Sequence, residues 1–212
     1  MNQTAVETQR VRIQIKAFTL IEMIGVLAVI AILAALLIPK VFNAINDSRI
    51  NNVVVGAQTI KTATVDHFAK NGRFDATNNV AITWSTFPVT GFDTNILMAE
   101  QLIDKPFSTK AGTNSFVQVR QCLPTSTAAD GSNQAYNLSG NNANDATGQY
   151  VVECVILGIA EVDAQAISTR IDGTTLSAAL GAPGGDSTGR VKYAAPVIPG
   201  GVTDVYIYIA HR

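Results

Sequence analysis

The chain has 212 residues, of which 47% are hydrophobic and only 15% charged, with a formal net charge of −1. Ordinary domains carry about 25% charged residues, and near-neutrality leaves no basic footprint for nucleic acid. Val, Ile and Leu are plentiful enough to build a core, which excludes a disordered chain.

Residues 1–17 come first, with Arg10, Arg12 and Lys16 against Glu7, a net of +2. Residues 18–38 follow as FTLIEMIGVLAVIAILAALLI, in which 18 of 21 residues are apolar and only Glu22 is charged. At 1.5 Å per residue such a helix spans about 30 Å, the thickness of a bilayer's hydrocarbon core. The basic leader before it and the lone Lys40 after it predict a cytoplasmic N-terminus and a translocated C-terminal domain. A cleaved secretory signal is the rival reading. It needs a small-residue site after a short apolar region, whereas Ala34-Ala35 lies inside the run.

Glu22 is the anomaly of the span. A carboxylate costs on the order of 2.5–3.5 kcal/mol at the centre of a membrane helix and less near an end, so it calls for a partner. Cleavage before Phe18 would create an α-amino group one turn away from it, on the same chain or on a neighbour.

Pro39 lacks an N–H and its ring clashes with the preceding turn, so the helix is expected to kink or open near Ile38. Beyond it Phe42, Ile45, Ile50, Val53, Ala57, Ile60, Thr64 and Phe68 mark one helical face, interrupted by Arg49 and His67, and Asn71-Gly72 is a stop signal. Residues 39–71 therefore continue the helix as an amphipathic half. From Phe18 to Lys70 it would be about 80 Å long.

Residues 72–212 are predicted as the globular domain. Strands are expected at 116–120, 150–157, 191–195 and 205–209, the last from the alternation of Val205, Ile207 and Ile209 with Tyr206 and Tyr208. A short helix is expected over 161–171, closed by Asp172-Gly173, and loops over 75–115 and 123–149. In the second loop 14 of the 25 residues from Thr125 to Gln149 are Ser, Thr, Asn or Gly. The predicted class is α+β, one long N-terminal helix against a C-terminal antiparallel sheet.

The segment Lys16-Ala17-Phe18-Thr19-Leu20-Ile21-Glu22-Met23, leading into an apolar helix that ends at Ile38-Pro39, resembles the N-terminal signal of type IV prepilins and of type II secretion pseudopilins. The resemblance implies cleavage between Ala17 and Phe18 by a prepilin peptidase, which also N-methylates Phe18. It assigns Glu22 to subunit recruitment during assembly and Pro39 to a stretch that melts on packing. It implies a structural subunit stored in the inner membrane, with its C-terminal domain periplasmic, that polymerises with itself and with other pilin-like subunits. The family's residue before the cut is normally Gly, and here it is Ala17. Asn71-Gly72-Arg73-Phe74, after Phe68, is similar to the way major pseudopilins leave this helix.

Cys122 and Cys154 are the two cysteines. In a domain outside the cytoplasm an even pair suggests a disulfide, which would close 32 residues and stabilise by about 3–4 kcal/mol in the chain-entropy model. It would resemble the disulfide-bounded loop of many pilins, although here it lies in mid-domain. Two buried free thiols are the alternative.

Chemistry beyond this is sparse. His67 and His211 are remote in sequence and show no metal-ligand spacing. Residues 184–191 have the outline of a phosphate loop without its Lys and Ser/Thr. Asp172 and Asp186 are turn residues before they are Ca²⁺ ligands. No nucleophile has a base assigned by spacing, so neither an enzymatic activity nor a cofactor or metal is expected.

Overall fold

The computed structural model describes residues 18–74, 76–77, 80–81, 89–122, 135–141, 145, 150–198 and 200–212. The chain divides into two compact units at Asn43/Ala44. One helix, α1 (Leu20–Asn71), begins in the first unit and ends in the second.

In the first unit every described residue of α1 is exposed except the half-buried Ala34. This is the one helix among the described residues that is long and apolar enough to cross a membrane. Helicity continues through Pro39. The opening expected there is absent, and what remains of the proline's effect is the missing N–H that would have bonded the carbonyl of Ala35.

In the second unit α1 buries Ile50, Val53, Ala57, Ile60, Ala63, Thr64 and His67. The predicted stripe holds from Ile50 onward, whereas Phe42 and Ile45 are exposed. His67, which looked like an intruder on the apolar face, is wholly buried. Its Nδ1 lies 2.8 Å from Glu100 Oε2, and its ring meets Phe92 edge-on at 5.6 Å. Gly72 ends the helix at φ 68°, with its N–H donating to the Phe68 carbonyl at 2.7 Å. Glycine enters this left-handed conformation without a Cβ penalty.

Two short strands, β1 (Ala76–Thr77) and β2 (Val80–Ala81), form an antiparallel pair. The main sheet contains β3 (Val89–Thr90), β4 (Asn114–Gln121), β5 (Tyr150–Ala160), β6 (Val191–Tyr193) and β7 (Val202–His211). It is antiparallel throughout, in the order β3-β4-β5-β7-β6. The α+β class is as the sequence predicts. The central strand β5 reads almost continuously apolar because it is covered on both faces. Its register against β7 slips between Ile156 and Ile159, where Gly158 at φ 63° supplies the left-handed residue of a bulge. Helix α2 (Glu161–Asp172) follows, ended by Gly173.

Inside the presumed loop 75–115 lies a π-helical turn, Asp93–Leu97, that the sequence reading misses. It buries Ile96 and Leu97 beside Phe92, and the buried Asp93 accepts the N–H of Phe107 at 2.8 Å. The inner face of the sheet, with Val117, Val119, Val152, Cys154, Ile156, Val205, Ile207 and Ile209, joins the α1 stripe and Ala164 and Ile167 of α2 in one apolar core. The outer face holds a second, smaller cluster of Cys122, Ala135, Tyr136 and Val151.

Candidate functional site

The start of α1 carries the residues with which the sequence reading is concerned. Phe18 is exposed. Ala17, and with it the bond expected to be cut, lies outside the described residues. Thr19 precedes the first helical residue, and both its backbone N–H and its hydroxyl donate to Glu22 Oε2 at 2.8 Å. In return the Glu22 N–H donates to Thr19 Oγ1 at 3.3 Å. This reciprocal arrangement is a capping box, which satisfies backbone donors that the first turn of a helix leaves unpaired. The carboxylate also sits at the positive end of the helix dipole.

Glu22 therefore has an intrachain role beside its cost in a membrane helix, and Thr19 is the residue that the sequence expectation leaves out. The Thr-x-x-Glu spacing ahead of an apolar run was the available signal. Oε1 has no partner among the described residues, so the carboxylate keeps an acceptor for a donor from elsewhere.

The two cysteines are buried and no disulfide joins them, in contrast to the expected bridge. Cys154 pairs in register with Val117, five residues before Cys122. At about 3.3 Å per residue that separation is roughly 17 Å, whereas a disulfide needs Cα atoms within about 7 Å. The side chains also lie on opposite faces, Cys154 in the inner core and Cys122 in the outer cluster. Burial raises both thiols above their ordinary range, and a raised thiol is a poor nucleophile.

The turn aspartates serve the loop between α2 and β6. Asp172 accepts from the N–H groups of Arg190 and Val191, both at 2.8 Å, and from Arg190 Nε at 3.1 Å. Asp186 accepts from Ser168 Oγ at 2.7 Å and from the N–H groups of Ala178 and Thr188. With these donors in place the two carboxylates act as anchors for residues 173–190, and the glycines at 184, 185 and 189 lie in that anchored loop. No group of three His, Cys, Asp or Glu side chains suited to a metal ion occurs among the described residues. His211 Nδ1 meets the Tyr208 hydroxyl, whereas His67 meets Glu100.

Fold and helix start together define an α+β protein whose first helix carries an uncovered apolar segment with a self-capped acidic residue at its head. No family model matches the chain, and neither a curated protein nor a solved structure matches it.

Proposed function

We propose that this chain is a prepilin-type subunit. It is held in the inner membrane by residues 18–38, cut between Ala17 and Phe18, N-methylated on Phe18, and polymerised into a filament of the type IV pilus class that serves adhesion, motility or DNA uptake. One observation carries the reading: an apolar helix segment whose described residues are exposed is headed by the Phe18-Thr19-Leu20-Ile21-Glu22 signal. Lipid covers that segment before assembly, and neighbouring helices cover it afterwards. Heterologous contacts whose rotation does not close produce such a filament.

The basic leader keeps the N-terminus cytoplasmic and the second unit periplasmic. The partners are a prepilin peptidase with methyltransferase activity, further copies of the chain, and other pilin-like subunits. In the filament Glu22 keeps its cap and offers Oε1 to the α-amino group of a neighbour's Phe18. A carboxylate buried without that partner is costly, which favours one axial register. Replacing Glu22 with Ala should leave insertion and cleavage intact and abolish most filaments in electron micrographs of sheared cells. Wild-type numbers of filaments would overturn the role.

A second reading, a pseudopilin of a type II secretion system, has its own support. Cys122 and Cys154 lie in separate clusters on opposite faces of the sheet, which speaks against the disulfide-bounded loop that favoured a pilin, and the helix exit at Asn71-Gly72, with Phe74 buried against the core, favours a pseudopilin. Filaments that appear on the surface only when the chain is overproduced, together with loss of secretion on deletion, would select it. A signal-anchored periplasmic protein that never polymerises would keep residues 1–17 or be cut near Ala35.

A further inference from the structure

The outer face of the sheet carries a polar cluster that the proposed function does not invoke. Glu153, wholly buried in the middle of β5, accepts through Oε1 from Gln118 Nε2 at 2.6 Å and from Arg120 Nε at 2.7 Å. Its Oε2 accepts the Tyr136 hydroxyl at 2.6 Å. The Tyr136 ring lies beneath Lys192 Nζ at 4.3 Å and beside the Arg120 guanidinium at 5.5 Å. The Tyr208 ring packs against it at 5.3 Å. Outward-facing residues of β4, β5, β6 and β7 thus converge on one phenol from outside the sheet.

Such a cluster is not explained by stability. Buried ion pairs replaced by apolar residues of similar volume often leave a protein as stable or more so, and their best-attested use is to specify one arrangement over others. Here the arrangement specified is the path of the chain at Tyr136. The carbonyl of Tyr136 accepts the Asp145 N–H at 2.8 Å, and the carbonyl of Asn137 accepts the Gly189 N–H at 2.8 Å. Where Tyr136 sits therefore decides whether residues 135–141 meet the loop before β6.

We propose that Glu153 is a lock for the Tyr136 hydroxyl, which holds residues 135–141 across the outer face. Phe at position 136 fills the same space but cannot donate. A slip of one residue that brings Ala135 to the site also leaves Oε2 without its donor. A buried acceptor left unmade is the expensive outcome, so the carboxylate discriminates by hydroxyl and by register at once.

The test is amide hydrogen exchange on the full chain in detergent, comparing Tyr136→Phe with the wild type. Tyr208→Phe serves as a control, because Tyr208 stands beside Glu153 on the same face but its hydroxyl meets His211 and not the carboxylate. In Tyr136→Phe the amides of Asp145 and Gly189 should exchange at least tenfold faster, while those of residues 50–67 keep wild-type protection. Tyr208→Phe should leave Asp145 and Gly189 unchanged. Wild-type exchange at both amides in Tyr136→Phe would overturn the lock. Equal release by the two variants would overturn its specificity, and loss of protection throughout the sheet would show a role in global stability instead.

Discussion

The two parts of α1 belong to one helix and differ in where their apolar residues go. From Ile50 onward they face a sheet made by the same chain, and Val53 and Ile60 are at most 2% exposed. Before Asn43 residues such as Ile24, Leu27 and Ile30 are more than half exposed, although that stretch is the more hydrophobic. Burying one such side chain is worth about 1.5–3 kcal/mol, so some fifteen uncovered ones demand a second environment. The chain has one apolar segment that stabilises its own fold and another whose described residues stay exposed.

Paired substitutions sharpen that contrast. Ile60→Ala removes a side chain packed in the core and should cost about 2–5 kcal/mol of unfolding free energy, read by urea denaturation in detergent. Ile30→Ala should change the same quantity by less than about 0.5 kcal/mol while reducing filament yield. If Ile30→Ala destabilised the domain as Ile60→Ala does, the two segments would not be distinct.

Alkaline pH should act on the second unit through its buried tyrosines. Burial pushes Tyr193 and Tyr208 up to about 12, and burial beside Glu153 carries Tyr136 well above 10. A phenol whose folded pKa exceeds its unfolded value near 10 contributes stability that is complete below pH 10 and is lost as pH rises through the folded value. Unfolding of the domain should therefore become easier between about pH 10 and 12, and tyrosinate absorbance should lag behind that of the denatured chain. Tyr136→Phe should flatten part of that dependence. Coincident titration of native and denatured chains would contradict it.

The smallest effect concerns the thiols. Neither Cys122 nor Cys154 should react with an alkylating reagent in the native protein, and both should react after denaturation without a reductant. A protein that yields two thiols only after reduction would restore the disulfide.

Much of the fold was legible in the residues because it follows local periodicity. The α1 stripe, the alternation through β7, and the ends of the helices at Asn71-Gly72 and Asp172-Gly173 all report on neighbours within a few positions. The turn Asp93–Leu97 was not legible, since its burial depends on Phe107 and on β4 across the fold. The cysteines failed for a related reason. Sequence gives their count and spacing, but their faces are fixed by the β4–β5 register, which places Val117 opposite Cys154. Glu22 was half legible: its charge stood out in the apolar run, while its partner Thr19, three residues earlier, was read only as part of a motif. The Tyr136–Glu153 contact carried no local signal, because a phenol in a polar loop and a carboxylate in an apolar strand become informative only when they meet.

The proposed assembly through the apolar segment requires processing at Phe18. Intact-mass measurement of the chain purified from membranes tests it most directly. The expected chain begins at Phe18 and carries one added methyl group on its α-amine. A mass that retains residues 1–17, or one that places the cut near Ala35, would contradict it.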